Sequence, residues 1–188
     1  YLCHVGYESD HGPVVLPTLY GRSENVIYFH GSPAAGMFRR SNSGVAISLT
    51  VTHVDGFVLA RSLFQHSMNY RSVVATGKAV RVTDPTEINH GLEVITENCL
   101  PGRWAEARRP NDVELRQTAV YRLPLTAASV KIRTGAPGDE AEDIELDIWA
   151  GVLPVVSGVG EPIPAPDFSS NVGLPHALKT LKRVSVDS

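Results

Sequence analysis

The chain has 188 residues, a formal net charge of −3, 43% hydrophobic and 20% charged residues. That length carries one globular domain with a sizeable core, and the mild acidity argues against a nucleic-acid partner, which would want a basic field. No apolar run is long enough to span a bilayer and no signal peptide is present, so a cytoplasmic protein away from membranes is expected. The chain opens at Tyr1, already in a strand pattern and without a Met, which reads as a trimmed start. Cys3 and Cys99 are the only cysteines and stand in no metal or redox spacing, so free thiols are expected, with Cys99 packing at the end of a helix.

Tyr1 to Glu8 alternates apolar and polar residues and predicts a strand; SDHGP (9–13) predicts a turn. Val14 to Tyr20 predicts a second strand. Pro17 inside it cannot donate to a ladder, which places that strand at an edge or gives it a bulge. Val26 to His30 is a third strand. Ser32 is a good N-cap and Pro33 a good first helical residue, so a short helix is expected over 33–41, with Met37 inward and Arg39 and Arg40 outward. Val45 to Val54 alternates cleanly; Asp55-Gly56 then reads as a hairpin turn and Phe57 to Phe64 as the returning strand. Next comes a polar stretch, Arg61 to Val74, which reads as a loop rich in donors ahead of a strand over Val73–Val82. These adjacent β-branched strands point to a meander that closes into a small barrel.

Asp84-Pro85 with Glu87 starts a helix whose apolar stripe is Ile88, Leu92, Ile95 and Cys99. Asn111 to Gln117 is a second short helix with a possible capping box. Val120–Leu125 and Ser129–Thr134 are strands, and in the latter Lys131 and Arg133 share a face that can pair with the acidic loop 137–145. Ile148–Val156 is a last strand carrying Trp149. From Gly158 on, Pro, Gly and Ser dominate, and an extended tail is expected to wrap or fray. The organisation is therefore a domain over 1–156 and a tail over 157–188.

The seven histidines lack paired spacing and carboxylate partners, so no metal site is expected. No nucleophile elbow, Walker loop or GxGxxG after a strand occurs, and no catalytic side chain can be named. What remains is a set of groups suited to an anionic, flat ligand. They are the Pro-interrupted strand, the His30-Gly31-Ser32 helix start, and hydroxyl, amide, phenol and guanidinium groups from Ser67 to Ser72.

The segments VLPTLYGR (15–22), VIYFHGSPAAGM (26–37), VAISLTV (45–51), FQHSMNYRSVVATGKA (64–79), KIRTG (131–135) and WAGVLP (149–154) occur in this order. Together they resemble the flavin-nucleotide-binding branch of the pyridoxamine-5′-phosphate-oxidase-like split barrels, which includes nitroimidazole-reductase-like proteins. The resemblance implies a mainly β protein, a six-stranded antiparallel split β-barrel with flanking short helices. It also implies a homodimer that holds FMN non-covalently between subunits and oxidises or reduces a small molecule. Carried over by position, Pro17, Thr18 and Leu19 lie along the flavin ring edge. His30, Gly31, Ser32 and Met37 lie near the ribityl chain and phosphate. Ser67, Asn69, Tyr70, Arg71 and Ser72 complete the phosphate and ring contacts, and Arg133 and Trp149 approach from the partner, although Trp149 equally suits a core or interface anchor. Related sequences carry Ser and Arg, or Arg and Lys, where this chain has Ala35 and Gly36, which makes Arg71 the main cation for the phosphate. The basic residues that bind pyridoxal phosphate have no counterpart in the tail, which argues against pyridoxamine-phosphate oxidase activity. The alternative is a non-catalytic split barrel holding flavin or haem, with His30, His66 or His176 as axial ligand.

Overall fold

In a computed structural model, which describes residues 1–32, 44–168 and 173–181, eight strands and four short helices follow the chain. They are β1 (Leu2–Ser9), β2 (Gly12–Ser23), β3 (Val26–Gly31), β4 (Val45–Leu59), β5 (Ser67–Arg81), α1 (Pro85–Cys99), α2 (Arg103–Glu106), α3 (Asp112–Arg116), β6 (Ala119–Pro124), β7 (Ala127–Arg133), β8 (Gly151–Pro154) and α4 (His176–Lys179). The sheet order is β7-β5-β6-β3-β2-β1-β4-β8, and β4 also pairs with β5. Six strands therefore close into a ring, β1-β2-β3-β6-β5-β4, as the split-barrel expectation requires. The helix expected over 33–41, with Met37, Arg39 and Arg40, lies outside the described residues.

The chain forms two compact units. The first comprises Tyr1–Leu49, Ala75–Ala127 and the segment from Gly158; the second comprises Thr50–Val74 and Ala128–Ser157. In the first, the strands bury side chains on both faces. Ile27 and Phe29 of β3 and Tyr121 and Leu123 of β6 are buried on one face, where the Phe29 and Tyr121 rings stack with centroids 5.6 Å apart. On the other face Tyr28 and Val120 join Val82 and Ile95 in a cluster that α1 covers with Ile88, Leu92 and Val94. The period-2 pattern of β3 and β6 thus feeds two apolar layers at once. α1 starts as its sequence dictates: Asp84 accepts a hydrogen bond from the Glu87 N–H at 2.8 Å, and Pro85 takes the first turn. Glu87 does not reach back to the cap. Its carboxylate accepts from the Tyr28 hydroxyl and from Arg122, each at 3.2 Å. Cys99 is exposed at the helix end instead of packed; Cys3 is buried.

In the second unit three expectations are corrected. Asp55-Gly56 is not a hairpin turn, and there is no returning strand at Phe57, because β4 runs unbroken from Val45 to Leu59. The Asp55 carboxylate is taken by Arg71, and its carbonyl by the Val155 N–H at 3.1 Å, so it has no call to fold back on its own backbone. Gly56 is required by packing: a Cβ there would sit 2.9 Å from Val152 Cγ1 of the paired strand β8. The polar stretch at Ser67–Ser72 is not a loop but the start of β5. The turn before it is one 3₁₀ turn, Leu63–Gln65, capped by the Ser62 side chain. Finally, the last strand is only Gly151–Pro154, so Trp149 precedes it.

The candidate cofactor cavity and the polar face of β5 and β7

β2 and β3 pair antiparallel from Ser23↔Val26 to Tyr20↔Phe29. Beyond that point β2 stays on β1, down to Ser9↔Gly12, while β3 stays on β6, to Gly31↔Ala119. The two strands part, and Pro17 lies in the stretch of β2 that β3 has left. A proline is tolerated there because no ladder partner on that side needs its missing N–H. The Thr18 hydroxyl donates to the His30 carbonyl at 2.8 Å across the parting. A cavity of about 480 Å³ opens in the gap. Val5, Leu16, Pro17 and Phe29 make its apolar walls; Thr18, His30, Ser32, Gln117 and Thr118 supply hydroxyl, imidazole and amide groups. Gly31 completes the lining, and among the described residues nothing lies within 4 Å of where its Cβ would stand. Burial holds the His30 imidazole below its ordinary pKa, so it is neutral at physiological pH.

Five of the residues singled out from the sequence, Pro17, Thr18, His30, Gly31 and Ser32, therefore line one cavity. Leu19 does not: its side chain packs against the Tyr28, Val82, Ile95 and Val120 cluster. Sequence reasoning missed Val5, Leu16, Phe29, Gln117 and Thr118. The first three read as ordinary strand residues, and Gln117-Thr118 stands outside every recognised motif. Gln117 ends α3, whose capping box (Asn111 with Glu114) was legible in the sequence.

In the second unit the candidate residues divide by strand alternation. Ser67, Asn69 and Arg71 point to one face of β5, and Met68, Tyr70 and Ser72 to the other. Arg71 forms a bidentate pair with Asp55, with Nε–Oδ2 3.0 Å and Nη2–Oδ1 2.8 Å. This pair holds the Asp55 carboxyl below its usual range and raises the guanidinium above its own. The Ser72 hydroxyl pairs with that of Thr52 at 2.8 Å. Asn69 is buried; its amide nitrogen donates to the Gly135 carbonyl at 3.0 Å, and its oxygen accepts from Arg133 Nη1 at 2.8 Å. Arg133 does not pair with the acidic loop. Asp139 of that loop binds Arg61 instead, through the Arg61 N–H at 2.7 Å and Nη1 at 2.8 Å. Trp149 is 67% exposed, its ring lying over Gly151. His66 places Nε2 3.2 Å from the Ala60 carbonyl, and His176 is exposed at the start of α4. Among the described residues no three His, Cys, Asp or Glu side chains gather into a metal-binding group, and no helix is long and apolar enough to cross a membrane.

A six-strand ring opened between two of its strands around a cavity is the architecture of a split barrel. A family profile described as pyridoxamine 5′-phosphate oxidase matches residues 1–132, and the chain belongs to that family. Two solved structures are similar over nearly all of it. The flavocytochrome Anf3 from Azotobacter vinelandii is 34% identical, with a TM-score of 0.87 over 97% of this chain and 85% of that one. The FAD and haem binding protein from Mycobacterium smegmatis is 33% identical, with a TM-score of 0.89 over 97% of this chain and 89% of that one. A putative 5-nitroimidazole antibiotic resistance protein from Bacteroides thetaiotaomicron shares the fold at 24% identity, with a TM-score of 0.56 over 69% of this chain and 75% of that one. No curated protein matches the sequence.

Proposed function

We propose that the protein is a homodimeric, flavin-dependent redox protein that holds its flavin non-covalently in the cavity between β2 and β3. The cavity itself carries the reading. Its 480 Å³ falls within the roughly 300–1,000 Å³ of small-molecule sites. Its lining is what a flat, largely apolar ring with one polar edge needs: Val5, Leu16, Pro17 and Phe29 as walls, and Thr18, His30, Gln117 and Thr118 for the edge. Gly31, with no Cβ of its own and no described residue within 4 Å of where one would stand, lets backbone approach a ligand. Family membership and the two flavin-named relatives support the same conclusion.

The resemblance in the sequence implies FMN; the FAD and haem binding protein among the similar structures supports FAD. Arg71, the cation assigned to the phosphate, is already engaged by Asp55. When bound, the flavin supplies hydride or single-electron transfer to a small-molecule substrate. The chain's part is to hold the ring, exclude water with Leu16, Pro17 and Phe29, and present donors and acceptors to the ring edge. A second reading, haem in the same cavity, is favoured by His30, a half-buried neutral imidazole in the ligating form.

The test is the absorption spectrum of the purified protein, followed by heat release and mass identification of what is bound. Flavin bands with FMN or FAD released support the first reading and say which flavin is held, and a Soret band lost in His30→Ala supports the second. Colourless protein with no thermal shift on adding FAD, FMN or haemin would sink both.

A further inference from the structure

We infer that a second cavity, lined by β5, α1 and α3, is a binding site for an organic monoanion, an apolar body carrying one carboxylate, and that Arg81 and Arg116 grip the carboxylate. The cavity, of about 620 Å³, is larger than the one between β2 and β3, and the two share no described lining residue. It lies wholly within the first unit. Ala79 of β5 and Val82 are buried and, with Pro85 and Ile88 of α1 and Leu115 of α3, make its apolar walls. A concave apolar lining with a few polar groups converging on it is the make-up of a small-molecule site.

The polar groups are two guanidiniums, a hydroxyl and a carboxylate. Arg81 ends β5, in register with Tyr121 of β6, and Arg116 ends α3. A lone surface arginine is a hydrated charge, but these two reach one cavity from different elements. Neither makes an ion pair or hydrogen bond among the described residues, whereas Arg61, Arg71, Arg108 and Arg122 each hold a carboxylate. The carboxylates of the surrounding elements are committed: Asp84 accepts from the Glu87 N–H, Glu87 from Tyr28 and Arg122, and Glu114 from Arg108. Residues 33–43, which lead into Gly44 of the lining, bring no Asp or Glu. Asp112 is the one carboxylate in the described lining. It stands four residues from Arg116 on α3, the spacing of a helical ion pair, yet forms none. Two guanidiniums against one carboxylate leave a single net positive charge, which matches a monoanion; a dianion would meet Asp112 with charge to spare. A carboxylate also fits the planar fork of a guanidinium, and the Thr83 hydroxyl adds a neutral donor.

The inference does not depend on the flavin reading. Its test is calorimetric titration of the purified protein with 1-naphthylacetate, its neutral analogue 1-naphthaleneacetamide, and the dianion 1-naphthyl phosphate at pH 8. The proteins are wild type, Arg81→Gln, Arg116→Gln, Asp112→Asn and, as a control outside the cavity, Arg109→Gln, each checked for an unchanged circular dichroism spectrum. Expected is binding of the acid, with the amide weaker by about 10-fold or more, and a loss of about 10-fold in Arg81→Gln and in Arg116→Gln. Arg109→Gln should bind as wild type does. Naphthyl phosphate should bind the wild type no better than the acid does and gain more than the acid from Asp112→Asn. Equal binding of acid and amide, wild-type affinity in both arginine variants, or no binding of any probe overturns the inference. Displacement of the acid by riboflavin would place the probe between β2 and β3 and overturn it as well.

Discussion

Arg71, Arg108 and Arg133 are indistinguishable as residue types, yet their neighbours give them different work. Arg71 and Arg108 are neutralised by Asp55 and Glu114; Arg133 is held by an amide and keeps its charge. The carboxylates report this in their pKa values. Glu114 is lowered to about 2, first by its hydrogen bond with Arg108 and then by the Asn111 N–H. Asp55 is lowered chiefly by Arg71. For Asp139, burial pushes the pKa up, but the Arg61 N–H and guanidinium outweigh it and leave the group below its usual range. All three are depressed in the folded state, so each contributes stability above its unfolded pKa of about 4. That contribution is lost as pH falls through the folded value. Denaturant midpoints should therefore fall between about pH 4 and pH 2 in the wild type, and Glu114→Gln should flatten that descent. A Glu114→Gln profile parallel to the wild type's would show that the pairing with Arg108 is equally present in the unfolded chain.

At the scale of elements, α1 shows what the sequence makes legible. An Asp cap, a Pro at the first position and an apolar stripe place it to the residue, because each signal acts within one or two helical turns. The glycines of α1 and β2 carry information that no local signal holds. A Cβ at Gly91 would stand 2.8 Å from Val120 Cγ1 and 3.0 Å from the Tyr28 ring, both buried and unable to give way. Gly91→Ala should gain about 1 kcal/mol of helix propensity and lose about 1–3 kcal/mol to overpacking, for a net lowering of the thermal midpoint. Gly21→Ala should be worse, since its Cβ would overlap the backbone carbonyl of Val94, which cannot rotate aside. Thermal melts of the two variants check both the sign and the order; a stabilised Gly91→Ala would mean that α1 can lift from β3 and β6. Asp55-Gly56 misled for the same reason. Its glycine answers to β8, nearly a hundred residues later, and not to a turn. Ser67–Ser72 misled because its composition is that of a loop, although its alternation of Asn69 and Arg71 against Tyr70 and Ser72 is that of a strand.

At the scale of the molecule, a closed antiparallel ring was readable but the meander was not its order: β3 pairs with β6 and β1 with β4, pairings between strands distant in sequence that no local signal announces. The tail was not readable. Its helix α4 exists because the Glu106 carboxylate accepts from the His176 N–H at 2.6 Å, a contact seventy residues long with no sequence signature. The second unit raises the remaining question at this scale. Val130 and Ile132 of β7 are 65% and 60% exposed, and Phe57, Trp149 and Leu153 are exposed as well. β7 and β8 stand at the two ends of the sheet order. Apolar side chains on end strands invite association unless something covers them. A second copy of the chain is the occupant expected of a homodimer. Replacing Val130 and Ile132 together by Glu removes two buried apolar side chains from such an interface, about 4 kcal/mol or three decades in Kd, without touching the cavity between β2 and β3. Sedimentation equilibrium at micromolar concentration should find two chains for the wild type and one for the double variant. If both sediment as single chains, the protein is not a dimer; if both sediment as two, the subunits meet on another face.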